Sequence, residues 1–254
     1  MEVKIIGGHG GVSPGFKATS YLIDGKLLID AGSVASGITI LEQSQIEHIL
    51  ISHSHLDHIS DLAFLADNCF GMKSAPFEIY AHATVAKSIM THLLNDIIWP
   101  DFTKLPSKAN PTLRLHEITP EKTFTLGEYK VTSVSVNHQG DAQGFLIENK
   151  GISLLFTQDT GPTDRIWELA HERKNLKAIF TEVSFPNHLI QVAIDSQHHT
   201  PRTMEQELKK MPATIPVYLG HLKPNFQGQL KEEIQSLGLD RLKVLDQDGS
   251  VFHF

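Results

Sequence analysis

Several things are scarce in this chain, and each scarcity excludes something. A single cysteine, Cys69, leaves no partner for an intrachain disulfide. It reads as a small buried hydrophobe in a reducing compartment. Basic residues are in deficit, with 22 Lys and Arg against 29 Asp and Glu and a net charge of −7. A protein that grips a long nucleic acid through many phosphates is thereby disfavoured, whereas a small anionic substrate held through metal ions is not. No apolar run reaches membrane-spanning length, and the opening Met1 to Gly7 passes straight into strand and turn chemistry without an apolar signal segment. A cytoplasmic protein free of membrane contact is the expectation. Internal repeats and low-complexity linkers are also missing. With 41% hydrophobic residues and an unbroken pattern, residues 1–254 are expected to form one domain.

Short apolar runs bounded by Gly, Asp and Pro recur along the chain. Residues 3–6, 20–23, 26–30, 46–51, 79–81, 129–136, 144–148, 153–157, 178–181, 217–219 and 243–245 read as strands. Helical periods occupy 57–68, 84–94, 162–173, 201–210 and 227–237, most of them opened by Thr, Asp or Pro. Early strands come as hairpin-like pairs and later ones alternate with helices. That order predicts two mixed β-sheets packed face to face with helices outside, an αββα sandwich of the α/β (α+β) class. The proline-rich stretch 100–111 reads as a surface excursion.

The most constrained motif is His53-Ser54-His55-Leu56-Asp57-His58, which places four metal-ligand side chains in six residues directly after an apolar strand. In an extended segment His53 and His55 point to the same side, so both imidazoles reach one cation. Asp57 and His58 fall where the apolar period turns helical and face a second. Nitrogen and carboxylate donors without thiolate suit zinc, with iron or manganese as competitors. Further candidates each follow a strand-like run: His138 after 131–136, Asp159 after 154–157 and His221 after 217–220. Singly, each reads as well as a loop or turn residue; together they complete two ligand sets.

These residues, with Gly7-Gly8-His9-Gly10-Gly11 and Leu28-Ile29-Asp30-Ala31-Gly32-Ser33 upstream, resemble the metallo-β-lactamase superfamily over essentially the whole chain. The finer resemblance is to the class II cyclic-nucleotide phosphodiesterases. It rests on His55-Leu56-Asp57-His58-Ile59, residues 92–102 with Trp99-Pro100-Asp101-Phe102, Asp159-Thr160-Gly161-Pro162-Thr163, Glu182-Val183-Ser184-Phe185-Pro186-Asn187 and Gly220-His221-Leu222-Lys223-Pro224. Asp61 departs from the pattern, standing where glycine is expected.

The resemblance implies two divalent ions: His53, His55 and His138 hold the first, Asp57, His58 and His221 the second, and Asp159 bridges them. It implies hydrolysis of 3′,5′-cyclic nucleotides to 5′-monophosphates through a metal-bridged hydroxide, with Asp57 counted among the catalytic groups. Such ion pairs acidify water and stabilise charge on a transferring phosphoryl group. Asp30 is a candidate for orienting a ligand histidine. The departing sugar oxygen needs a proton. His198 is the candidate donor and substrate contact, with Glu182 positioning it, and the adjacent His199 competes for the role. Trp99 and Phe102 are candidates for stacking on the base. Two rival readings are a tRNA 3′-processing endonuclease and a noncatalytic, metal-dependent nucleotide sensor. The interval 139–158 between His138 and Asp159 has no space for a large RNA-binding insertion. A homodimer is compatible with the chain.

Overall fold

The computed structural model describes residues 1–254, with fourteen strands. In chain order these are β1 (Glu2–Gly7), β2 (Ser20–Ile23), β3 (Leu27–Ile29), β4 (His48–Ile51), β5 (Phe77–His82), β6 (Leu113–Ile118), β7 (Thr123–Leu126), β8 (Tyr129–Ser135), β9 (Gln143–Asn149), β10 (Ile152–Phe156), β11 (Leu176–Glu182), β12 (Val217–Gly220), β13 (Leu242–Val244) and β14 (Val251–His253). They form two seven-stranded sheets, ordered β14-β1-β2-β3-β4-β5-β6 and β13-β12-β11-β10-β9-β8-β7. Both are mixed. Strands β3 to β6 run parallel beside an antiparallel β14-β1-β2-β3 region, and β10 to β13 run parallel beside antiparallel β7 to β10.

Side-chain alternation along these strands explains the layering. Leu27 and Ile29 face inward and join Ile5, Tyr21, Phe145, Phe156 and Phe180 in the core between the sheets, where the last two rings stack at 4.6 Å. Leu28, Ile49 and Ile51 face outward and are covered by the helices Asp61–Asn68 and Ala83–His92. On the other side, Leu146, Leu155 and Ile179 are covered by Arg165–Glu172, Pro201–Glu207 and Gln227–Gln235. The expected αββα sandwich is the observed fold. No helix is long and apolar enough to cross a membrane.

Three strands escape the hydrophobic pattern, namely β6, β7 and β14, and each closes an edge of its sheet. An edge strand has one hydrogen-bonding neighbour and less apolar cover, so Leu113–Ile118 carries Arg114, His116 and Glu117 among its apolar residues. Short helices at Val34–Gly37, Ile40–Gln45 and Ile190–Asp195 were likewise too brief to show a period. Asp61, the departure from the family pattern, has a structural use: its carboxylate accepts from the backbone N–H of Ala35 at 2.8 Å, tying down the first of these helices.

Candidate metal centre

Parallel strands deliver side chains to the loops beyond their carboxyl ends, and here both sheets do so at one end of the sandwich. His53 to His58 follow β4, His138 follows β8, Asp159 follows β10, His198 lies in the long connection after β11, and His221 follows β12. His55 caps the helix Leu56–Ile59, so that Asp57 and His58 occupy its first turn.

The separations are those of atoms arranged around shared cations. His55 Nδ1 lies 3.0 Å from His53 Nε2 and 3.2 Å from His138 Nε2. Asp159 Oδ2 lies 3.3 Å from His58 Nε2, 3.2 Å from His221 Nε2, 3.7 Å from His53 Nε2 and 3.9 Å from His138 Nε2. His221 Nε2 is also 3.3 Å from Asp57 Oδ2. Tetrahedral ligands at the usual zinc–nitrogen and zinc–oxygen distances stand about 3.3 Å apart, so the cluster suits ligation of a divalent ion. The potential ligand atoms fall into three overlapping groups: His53, His55, His138 and Asp159; Asp57, His58 and His221; and Asp159, His198 and His221.

Hydrogen bonds on the far side of the rings set the tautomers. The His138 Nδ1 proton goes to the Gln197 carbonyl at 3.0 Å, and that of His58 goes to Asp30 Oδ2 at 2.7 Å. His53 Nδ1 meets Ser52 Oγ at 3.0 Å, while Ser52 Oγ donates to Asp30 Oδ2 at 2.7 Å. His221 Nδ1 meets Ser184 Oγ at 2.8 Å. Each of these four rings therefore turns Nε2 inward, the atom that metal ligation would use. The inward His58 Nε2 is buried and has no hydrogen-bond partner, an orphan that a cation would satisfy. Burial disfavours a proton on His58, yet Asp159 and Asp30 outweigh it and hold its pKa well above the usual histidine value. Burial pushes His53 well below that value.

Backbone conformation is spent on this geometry. Asp30, Gln158 and His221 all adopt left-handed φ, at 56°, 53° and 57°, and strain of this kind concentrates at functional sites. Glycines of the two upstream motifs permit close approach: a Cβ at Gly10 would sit 2.8 Å from His221 ring atoms, and one at Gly32 would overlap the Asp57 carbonyl.

His198 lies beside Asp159 and His221, with its ring nitrogens farther from the Asp159 carboxylate than the 4.0 Å within which His53, His58, His138 and His221 lie. Its Nδ1 pairs with Glu182 Oε1 at 2.9 Å, and its ring packs 4.8 Å from that of His138. Burial opposes its protonation, but the Glu182 charge and hydrogen bond outweigh burial and raise its pKa above the usual value. His199 is turned away, with Nδ1 on Thr203 Oγ1 at 3.0 Å, and burial lowers its pKa. Of the two neighbours, His198 is the one whose ring lies against the cluster.

The aromatic candidates are not drawn into this cluster. Phe102 is buried in the outer core beside Phe70, and its carbonyl accepts from Leu113 N at the start of β6, the end of the sheet opposite the histidines. That burial argues against the base-stacking expectation for Phe102. Trp99 is half-buried, edge-on to Phe64 at 5.3 Å. Ser52, Gln158 and Ser184 were overlooked in the sequence. The two serines lie adjacent to or two residues from named candidates, but serine is too common in strand-end loops to signal a role.

The fold and this cluster define a metallo-hydrolase of the αββα class. The profile of the Beta-lactamase superfamily domain matches residues 26–221. A probable 3′,5′-cyclic-nucleotide phosphodiesterase from Yersinia pestis is 30% identical, over 99% of this chain and 86% of that relative. The 3′,5′-cyclic-nucleotide phosphodiesterase of Aliivibrio fischeri is 25% identical over 82% of this chain and 74% of its own. Among solved structures, unliganded yeast PDE1 shares the fold with a TM-score of 0.80 at 16% identity, over 96% of both chains. The chain belongs to the metallo-β-lactamase superfamily and within it is similar to the class II cyclic-nucleotide phosphodiesterases.

Proposed function

We propose that residues 1–254 act as one catalytic domain, a dinuclear-metal phosphodiesterase that opens 3′,5′-cyclic nucleotides to 5′-monophosphates. The observation that carries this reading is the convergence of two ligand sets on Asp159, with a carboxylate-backed histidine beside them. His53, His55 and His138 would hold one ion, Asp57, His58 and His221 the other, and Asp159 both. Zinc is the proposed metal, since the donors are nitrogen and oxygen at tetrahedral spacing; iron and manganese accept the same donors. When bound, a pair of such ions acidifies water and neutralises charge gathering on a phosphoryl group.

The remaining work falls to the chain itself. His198 keeps Nδ1 on Glu182, so the proton it can deliver to a departing sugar oxygen is the one on Nε2. Glu182 fixes the ring and raises its proton affinity. Lys223, half-buried over the Phe185 ring, is the proposed counter-charge for the substrate phosphate. The similarity to named cyclic-nucleotide phosphodiesterases supports the substrate class.

The test is one panel of assays on the metal-loaded protein with cyclic AMP, cyclic GMP, a linear phosphodiester and pre-tRNA. Release of a 5′-monophosphate from a cyclic nucleotide is expected. Cleavage of pre-tRNA alone would favour an endonuclease, and tight cyclic-nucleotide binding without turnover would favour a sensor.

A further inference from the structure

We infer that Ser184 is a positioning residue that joins the metal ligand His221 to the Glu182–His198 acid pair, so that ligation and proton delivery share one hydrogen-bond chain. The inference rests on the dinuclear reading and goes beyond it by assigning a residue that contacts neither metal nor substrate. Ser184 is wholly buried. Its Oγ lies 2.7 Å from Glu182 Oε2, 2.8 Å from His221 Nδ1 and 3.2 Å from His198 Nδ1.

A hydroxyl has one proton to give, and the protons can be counted. The shortest contact is to an ionised carboxylate, so Ser184 donates to Glu182. Its lone pairs are then free to accept, and His221, once a cation takes the Nε2 that faces Asp57 and Asp159, has its proton on Nδ1 to give. The chain runs His221 Nδ1–H to Ser184 Oγ–H to Glu182 Oε2, while His198 Nδ1–H occupies Glu182 Oε1. Glu182 makes no direct bond to a ligand ring. Through Ser184 it nevertheless sets the tautomer in which His221 offers Nε2 to a cation, and groups in this position commonly contribute about 10–100-fold to metal affinity.

The decisive experiment titrates the metal-depleted full chain with Zn²⁺ against a competing chelator. In Ser184→Ala the second equivalent is expected to bind about 10–100-fold more weakly, with the first little changed. Glu182→Gln should weaken the same equivalent, and Ser184→Ala/Glu182→Gln should add little to either single change, because both cut one chain. In the zinc-loaded protein the proton resonance of His221 Nδ1–H should move upfield in Ser184→Ala, as its hydrogen bond to Oγ is lost. A folded Ser184→Ala that binds both equivalents as the parent does would overturn the inference. Should that variant fail to fold, Glu182→Gln decides, and unchanged affinity there overturns it equally. A parent that takes two equivalents but hydrolyses no cyclic nucleotide refutes the substrate reading alone.

Discussion

Two buried carboxylate–serine pairs stand behind the histidines, one in each sheet, and they are wired alike. On the first sheet Asp30 takes His58 directly and reaches His53 through Ser52; on the second Glu182 takes His198 directly and reaches His221 through Ser184. The two carboxylates nevertheless serve different ends. His53 and His58 both lie within 4.0 Å of Asp159, so Asp30 supports two would-be ligands and nothing that is free to move a proton. On the second side only His221 meets that limit, while His198 forms its ion pair with Glu182. In the proposed mechanism one scaffold, displaced by a single histidine, becomes an acid.

The strongest way to break this comparison is to remove what both sides share. Asp159→Ala deletes the oxygen on which four histidines converge. It should drop metal content from two equivalents to at most one and cost well over the roughly 100-fold typical of an outer-sphere change. Elemental analysis with kcat/KM on a cyclic nucleotide checks both. Full activity with two ions retained would end the bridging assignment.

Next in size is His198→Ala, which asks whether the two sides differ in kind. An acid outside the ligand atoms predicts unchanged metal content with a loss of roughly 10²–10⁴-fold in the chemical step for a sugar-oxygen leaving group. A nitrophenyl ester, whose leaving group departs without a proton, should largely escape. A lost metal ion would instead make the second side a copy of the first.

How much of this was readable beforehand follows the same division. His53, His55, Asp57 and His58 announce themselves because one loop and one helical turn hold all four, so local spacing alone implies a site. His138, Asp159, His198 and His221 are gathered only by the register of β8, β10, β11 and β12, which a single sequence does not specify. They were legible through family resemblance rather than through geometry. The central strands were readable for the same reason that they are central: both faces are covered, so the apolar run is continuous. Edge strands β6, β7 and β14 and the serine relays lack any such local signature. The two motif aromatics show the limit of resemblance, since Phe102 sits in a matching block yet packs in the core.

A smaller effect, about 10–100-fold in metal affinity, is expected from Asp30→Asn. The substitution keeps size but replaces one acceptor oxygen by a donor, where Ser52, Gln158 and His58 all donate. If the pairs are as alike as they look, this loss should match that of Glu182→Gln in chelator competition. Only Glu182→Gln should also discriminate between sugar and nitrophenyl leaving groups. Equal discrimination by both would mean that proton delivery is not confined to the second sheet.

The smallest catalytic effect is predicted at Phe102, and it separates the two ends of the sandwich rather than the two sheets. Truncating a buried phenylalanine leaves a cavity and typically costs 3–5 kcal/mol of stability. Phe102→Ala should therefore lower the denaturant midpoint clearly. The side chain packs on Phe70 at the far end of β5 and β6, with no part in the histidine network. For that reason kcat/KM of the folded fraction should stay within about twofold of the parent, for cyclic nucleotide and nitrophenyl ester alike. Trp99→Ala is the contrasting measurement, because its indole is only half-buried: a base contact would raise KM for the cyclic nucleotide alone, worth about 1–3 kcal/mol for a stacked base. A raised KM in Phe102→Ala with stability intact would restore the stacking role that its burial argues against.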